Sequence, residues 1–399
     1  MKKVYLLNPV SDREVVSYFK SIAVHPDGIE VMDKKSVFYT LRIKDLSSPA
    51  ANILKQEALA AGAELATAWS VIKDPDIIAD ALLMGTYRQI EIIAQKIKSQ
   101  QFGLSDVADE LESAIKNLFN TRSTLRYRDA SINLEDGPRL MGILNVTPDS
   151  FSDGGRFLST EAAVEHGLEL CEHGADIIDV GGESTRPGSG PVDAEEEKRR
   201  VIPVIQRLRE KIKIPISIDT MKSDVAAAAL DNGADIVNDV SAMTFDKGMQ
   251  EVVRKYRAAI VLMHMKGTPQ SMQVAPQYSD VIAEILSFLE QRVLHAIKAG
   301  IDKDRIIIDP GIGFGKAVKH NLLILKHVRA FKLLGLPVLI GTSRKSFIGK
   351  LTNTETGQRM YGSVATAAWA AAHGVDIIRV HDVKETKQAL LMTKHIMDA

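Results

Sequence analysis

The sequence predicts an α/β fold, a closed (β/α)8 TIM barrel, preceded by a smaller α+β domain. Three observations carry that prediction. From Arg139 onward, short runs rich in Val and Ile alternate with longer segments of helical period. Eight such repeats fit into the roughly 260 residues typical of a closed barrel. Each run also ends in, or is followed closely by, a polar side chain, where the active faces of such barrels lie.

In chain order, the eight expected strands are Leu140 to Val146, Asp176 to Val180, Ile214 to Asp219, Asp235 to Asn238, Ala259 to Met263, Ile306 to Asp309, Pro337 to Ile340 and Asp376 to Val380. Ala194 to Leu208, Val281 to Ala299 and Gly362 to His373 are the clearest helices between them. An open doubly wound sheet is the competing architecture, but no dinucleotide fingerprint follows the first strand. The first 120 residues read differently, as an accessory α+β domain (1–120). Strands are expected at Val4 to Leu7 and Val37 to Ile43. Ser48 before Pro49 reads as the cap of a helix through Ala51 to Ala61, followed by amphipathic helices over Ile78 to Lys98 and Ser105 to Phe119. A polar, turn-forming stretch (121–138) links the two domains, with Leu125 to Tyr127 and Ile132 to Leu134 as short hairpin arms. The barrel occupies 139–399.

Composition narrows the function. Lys plus Arg number 50 against 51 Asp plus Glu, a net charge of -1, so no global field attracts nucleic acid or an anionic membrane. Any anion site must be local. The single Cys171 cannot form an intramolecular disulfide, and neither a leader nor a membrane-length apolar stretch is evident. A cytoplasmic protein is expected.

The polar residues at the strand ends are Asn145, Asp179, Asp219, Asn238, His264, Asp309, Ser343 with Lys345, and Arg379 with His381. Helix capping accounts for any one of them, Asp219 before Thr220 for instance, but not for their recurrence at successive strands. Two loops, Asn145 to Gly155 and Gly181 to Gly190, are rich in Gly, Pro and polar groups, a composition that favours functional loops over plain connections. Arg379 and His381 are two residues apart on one strand and can share a face, so together they suit a phosphate. The structural alternative is an Arg379–Asp382 pair. Gly311-Ile-Gly-Phe-Gly-Lys316 lacks the spacing and the final Ser or Thr of a nucleotide phosphate loop. His264 and His381 lack zinc-site spacing, and His264 is read as a satisfied polar histidine. Cys171, Met263 and Met265 have a packing role as their plain reading. In the first domain His25, Lys55 and Trp69 form no chemical constellation, which leaves an accessory or oligomerisation unit.

The motifs Asn145-Val-Thr-Pro-Asp-Ser-Phe-Ser-Asp-Gly-Gly155, Gly181-Gly-Glu-Ser-Thr-Arg-Pro-Gly188, Asp309-Pro-Gly-Ile-Gly-Phe-Gly-Lys316, Ser343-Arg-Lys-Ser346 and Arg379-Val-His381 closely resemble those of dihydropteroate synthases, in the family's order, over Arg139 to Asp398. The resemblance implies an enzyme that joins 6-hydroxymethyl-7,8-dihydropterin diphosphate to p-aminobenzoate. It implies a pterin pocket of Asp219, Asn238, Asp309 and Lys345, with Met263 against the ring. It further implies that Asn145, Arg379 and His381 handle the diphosphate, with Mg2+ held by Asn145, and that Asn145, Lys345, Arg379 and His381 carry catalysis. Phe151, Thr185, Arg186, Pro187, Phe314 and Ser346 match residues that surround p-aminobenzoate. A homodimer is also implied. The competing readings are the pterin-binding module of a cobalamin-linked methyltransferase and a noncatalytic pterin-binding regulator. The Ser343-Arg-Lys-Ser motif and the Arg379/His381 pair argue against the first, and retention of every expected polar position against the second.

Overall fold

A computed structural model describes residues 7, 12–119, 124–147, 156–183, 190, 192–267, 272 and 275–398. The chain divides into two compact units, Met1–Asn120 and Thr121–Met397.

The first unit is an antiparallel three-stranded sheet with helices. Its strands are β1 (Phe38–Ser47), β2 (Glu64–Thr67) and β3 (Ile78–Thr86), in the order β1-β3-β2. Two sequence expectations need correction here. Ile78 to Lys98 is not one helix: Ile78–Thr86 is the central strand and Tyr87–Ile97 the helix. Ala81, Leu83 and Gly85 are buried at every second position, a period of two, and Thr86 with Gln89 forms a capping box that starts the helix afresh. The cap of the preceding helix, Ser48–Ala60, is Ser47 and not Ser48, because Ser47 Oγ accepts from the Ala50 N–H. Ser48 turns inward instead and donates to the Val71 carbonyl at 2.6 Å. Leu54, Leu83, Ile90, Ile93 and Ile97 form the core of this unit. The strand expected at Val4 to Leu7 lies, apart from Leu7, outside the described residues.

The second unit opens with a hairpin of β4 (Thr124–Tyr127) and β5 (Ala130–Asn133). Eight parallel strands follow: β6 (Arg139–Asn145), β7 (Ile177–Gly181), β8 (Ile216–Asp219), β9 (Ile236–Asp239), β10 (Ala259–Met263), β11 (Ile306–Asp309), β12 (Leu339–Ile340) and β13 (Ile377–Val380). All eight expected strands are present with ends moved by at most a few residues. Their order is β11-β10-β9-β8-β7-β6-β13-β12. The parallel bridge between Ile308 and Val338, just ahead of β12, closes the ring. Helices lie between the strands, among them Ala194–Lys211, Val281–Lys298 and Met360–Ala372.

Alternation along these strands builds two separate cores. Outward residues such as Leu140, Ile178, Ile218, Val237, Ile260, Ile308 and Ile378 join the helices in one large cluster. Inward residues at the start of the strands, Met141, Ile177, Ile236, Ala259, Ile307, Leu339 and Ile377, form another, and Leu125 and Leu134 from the hairpin region complete it. The hairpin is thus a plug at the amino-terminal end of the barrel. Two residues further along each strand the side chain points inward again, one pleat nearer the opposite end. On four strands the residue there is polar, Asp179, Asn238, Asp309 and Arg379, and these define the site, while Ile143, Val261 and Gly341 stand at the same level on three others.

Candidate active site

Arg379, two residues after Ile377, reaches across the barrel mouth. Its Nε donates to Asp179 Oδ2 at 2.6 Å and its Nη2 to Asp219 Oδ2 at 2.7 Å. Asp382 is not its partner, since the Arg344 guanidinium takes that carboxylate through Nη2 at 2.5 Å and Nε at 3.2 Å. Asn238 Nδ2 donates to the same Asp179 oxygen at 3.0 Å. One arginine therefore ties three strand ends together. Burial pushes the Asp219 carboxyl up to about 7, against the pull of Arg379 and with that of Asp179. Gly181 lies between Asn145 and Asp219: a Cβ there would make ordinary contacts, 3.5 Å from Asp219 Cβ and 3.8 Å from Asn145 Oδ1.

On the other side, Asp309 at the end of β11 accepts the Gly311 N–H at 2.6 Å. Burial holds its carboxyl above the usual range, while the Gly311 N–H and Lys345 oppose that shift. Lys345 lies just before the helix Ser346–Thr352. Its Nζ donates to the Ile312 carbonyl at 2.8 Å and stands 4.1 Å from the Phe314 ring centroid. Burial lowers its ammonium to about 8, with Asp309 acting the other way. The loop that carries Ile312 and Phe314 requires glycine. Gly311 has φ +70°, and a Cβ there would fall 2.0 Å from the His264 carbonyl oxygen. At Gly315, φ +65°, a Cβ would fall 2.3 Å from the Lys266 carbonyl oxygen.

His264 is buried beside this loop, as the plain reading of it expects. Lys316 Nζ is 3.0 Å from its Nδ1 and also donates to the His264 carbonyl at 3.2 Å and the Phe314 carbonyl at 3.0 Å. Burial and the neighbouring Lys316 drive the imidazole down to about 3, so it stays neutral. Met263 is buried at the end of β10, paired in register with Asp309. His381, two residues beyond Arg379, has its Nδ1 3.0 Å from Ser343 Oγ. Ser346 is exposed at the first turn of its helix. Phe151, Thr185, Arg186 and Pro187 lie outside the described residues.

The structure adds contacts that the sequence did not signal. Lys222 Nζ bonds Glu183 and the fully buried Glu197, each at 2.5 Å, and Glu183 also accepts the Val192 N–H. Residues 183 and 192, on either side of the second Gly-rich loop, are thus joined. Lys316 was legible only as the end of a glycine motif, and Asp179 only as one polar strand end among several. Among the described residues no three His, Cys, Asp or Glu side chains converge to hold a metal. A cation here would have to take most of its ligands from water and substrate, with an amide oxygen such as Asn145 Oδ1 as the protein anchor.

Residues 141–381 match the family model described as "Pterin binding enzyme". The chain is 48% identical over 250 residues to the dihydropteroate synthase of Synechocystis sp., a match that spans 62% of this chain and 86% of that one. Among solved structures, the Xanthomonas albilineans dihydropteroate synthase with 4-aminobenzoic acid superposes with a TM-score of 0.66 at 48% identity, over 70% of this chain and all of that one. The same enzyme in complex with 7,8-dihydropteroate gives 0.63 at 46% identity, over 69% and 99% of the two chains.

Proposed function

The chain belongs to the dihydropteroate synthase family of pterin-binding enzymes, and from that premise we propose how its own residues carry the family's reaction. As a transferase of this family it condenses 6-hydroxymethyl-7,8-dihydropterin diphosphate with p-aminobenzoate, giving 7,8-dihydropteroate and diphosphate.

The observation that carries the assignment of residues is the convergence of Asp219, Asn238, Asp309, Lys345 and Arg379 on one mouth, through Arg379 on one side and the Gly311 loop on the other. The aminopyrimidine edge of a pterin presents neighbouring N–H donors, which Asp309 and Asp219 accept, while Asn238 and Lys345 complete the edge. Met263 packs against the ring. Two Arg379 donors are committed to carboxylates, so a remaining N–H faces the diphosphate together with His381 and Asn145. Magnesium fits the donor set because it favours oxygen ligands and bridges phosphates while retaining waters. Held by Asn145, it would supply charge neutralisation of the leaving group.

The C–O bond at the pterin methylene breaks first, and its electron pair leaves with the diphosphate. The resulting cation is delocalised into the ring until the aniline nitrogen attacks it, forming the C–N bond and releasing a proton. No strong base is required. The residues position the partners and exclude water, which would otherwise capture the cation. Phe314 and Ser346, with Phe151, Thr185, Arg186 and Pro187 from the two loops, hold p-aminobenzoate. A cytoplasmic setting and a homodimer complete the reading. The homodimer is supported by exposed Tyr361 and Trp369 on the helix Met360–Ala372, and light scattering tests it.

Incubating the protein with the pterin diphosphate, Mg2+ and p-aminobenzoate should yield diphosphate and dihydropteroate in equal amounts. Diphosphate release without pteroate, or pteroate formation undiminished by chelation of Mg2+, would overturn the acceptor or the metal assignment respectively.

A further inference from the structure

We infer that Asp179 is a positioning residue of the pterin site, one that fixes which end of the Asn238 amide meets the ligand and sets the plane of the Arg379 guanidinium. The inference rests on the pterin pocket proposed above and adds to it a buried residue with no role in binding or catalysis assigned so far.

Asp179 is completely buried in the barrel interior, two residues beyond Ile177 of the apolar plug. A carboxylate in that place needs strong partners. It has two, both on one oxygen: Arg379 Nε at 2.6 Å and Asn238 Nδ2 at 3.0 Å. A guanidinium can only donate, so Asp179 Oδ2 is an acceptor in this arrangement. That settles the orientation of Asn238. Turned the other way, its carbonyl oxygen would face a carboxylate oxygen at the same separation, two acceptors with no proton between them. The Asn238 NH2 is therefore committed to the barrel interior, and Oδ1 is the end left for a ligand. No described residue donates to it.

Arg379 is restrained by the same logic. Its Nε and Nη2 are bound by carboxylates on two neighbouring strands, Asp179 on β7 and Asp219 on β8. Two such bonds fix the guanidinium plane as one would not. Asp179 thus presets an acceptor at Asn238 and a planar cation at Arg379 before any ligand arrives. The matching ligand edge carries an N–H donor opposite position 238.

The test measures binding of 6-hydroxymethyl-7,8-dihydropterin, which lacks the diphosphate, by calorimetry, together with KM for each substrate. It uses Asp179→Ala and the milder Asp179→Asn, with thermal melting as a check on folding. Asp179→Ala should weaken pterin binding about tenfold or more, while KM for p-aminobenzoate moves by less than about twofold. In an Asn238→Ala background the same substitution should cost this diphosphate-free ligand only about threefold or less, because Asp179 reaches the pterin ring through Asn238 while its hold on Arg379 serves the diphosphate. If Asp179→Ala fails to fold, Asp179→Asn should show the same selective rise in pterin KM to a smaller extent. Full additivity with Asn238→Ala, or an equal loss for both substrates, would overturn the inference. If instead Asn238→Ala leaves pterin affinity untouched, the pocket assignment itself has failed.

Discussion

The two ends of the barrel are built from the same strands and have opposite chemistry. At the amino-terminal end Ile177, Ile236, Ile307 and Ile377 close over Leu125 and Leu134. Two residues along the same strands stand Asp179, Asn238, Asp309 and Arg379. The first layer is dry and apolar, and its burial stabilises the fold. The second holds carboxylates, an ammonium and a guanidinium in partly desolvated positions, an arrangement that burial alone disfavours. The shifts of Asp219 to about 7 and of Lys345 to about 8 are the mark of that strain. Stability and chemistry are thus separated by one pleat, and substitutions at the two ends should separate accordingly.

The largest effect is expected at the polar end. Lys345→Ala should lower kcat/KM at least about a hundredfold, since a charged group beside the reacting centre is lost. Its melting temperature should change little, because that ammonium is already disfavoured by burial. A variant that keeps full turnover would remove Lys345 from the site.

Gly311→Ala tests the loop that carries Ile312 and Phe314 to Lys345 at the polar end. A methyl group 2.0 Å from the His264 carbonyl oxygen at φ +70° forces the loop to move, with a loss of about 1–3 kcal/mol from backbone strain alone. Activity should fall with stability, because Ile312 and Phe314 both touch Lys345. Denaturant unfolding paired with steady-state kinetics would measure both.

At the plugged end, Leu125→Ala should cost about 2–5 kcal/mol in unfolding free energy, as for other large-to-small core changes. The kcat/KM of the folded fraction should stay within a few-fold of the original. A selective loss of catalysis there would break the division between the two ends.

The smallest effect is a pH profile. Asp219 is a full, charged acceptor for the ligand above about 7, and Lys345 is charged below about 8. The kcat/KM for the pterin substrate should therefore follow a narrow bell, falling about tenfold per pH unit on either side. Asp219→Asn should remove the acidic limb and leave the alkaline one.

Much of this was legible in the sequence because a barrel repeats a local code. Runs of Val and Ile marked the strands, and the polar residues at or close to the ends of those runs marked the mouth, so Asp219, Asn238, Asp309 and Arg379 could be picked out. The first unit was harder to read. Ile78–Thr86 carries enough Leu, Ala and Met to pass for the start of a helix, and only its pairing between β1 and β2 makes it a strand. Propensity lost to tertiary context there. The partners of charged groups were also hidden: Arg379 is 200 residues from Asp179 and 160 from Asp219, and adjacency to Asp382 pointed the wrong way.

The sequence by itself determined the kind of fold, the number and place of the barrel strands and the family, because each depends on local periodicity or on contiguous motifs. Tertiary structure alone decided which acid holds Arg379, which end of Asn238 faces a ligand, and how far burial moves Asp219 and Lys345. Those properties arise from charges that meet only when the sheet closes on itself and excludes water from between them.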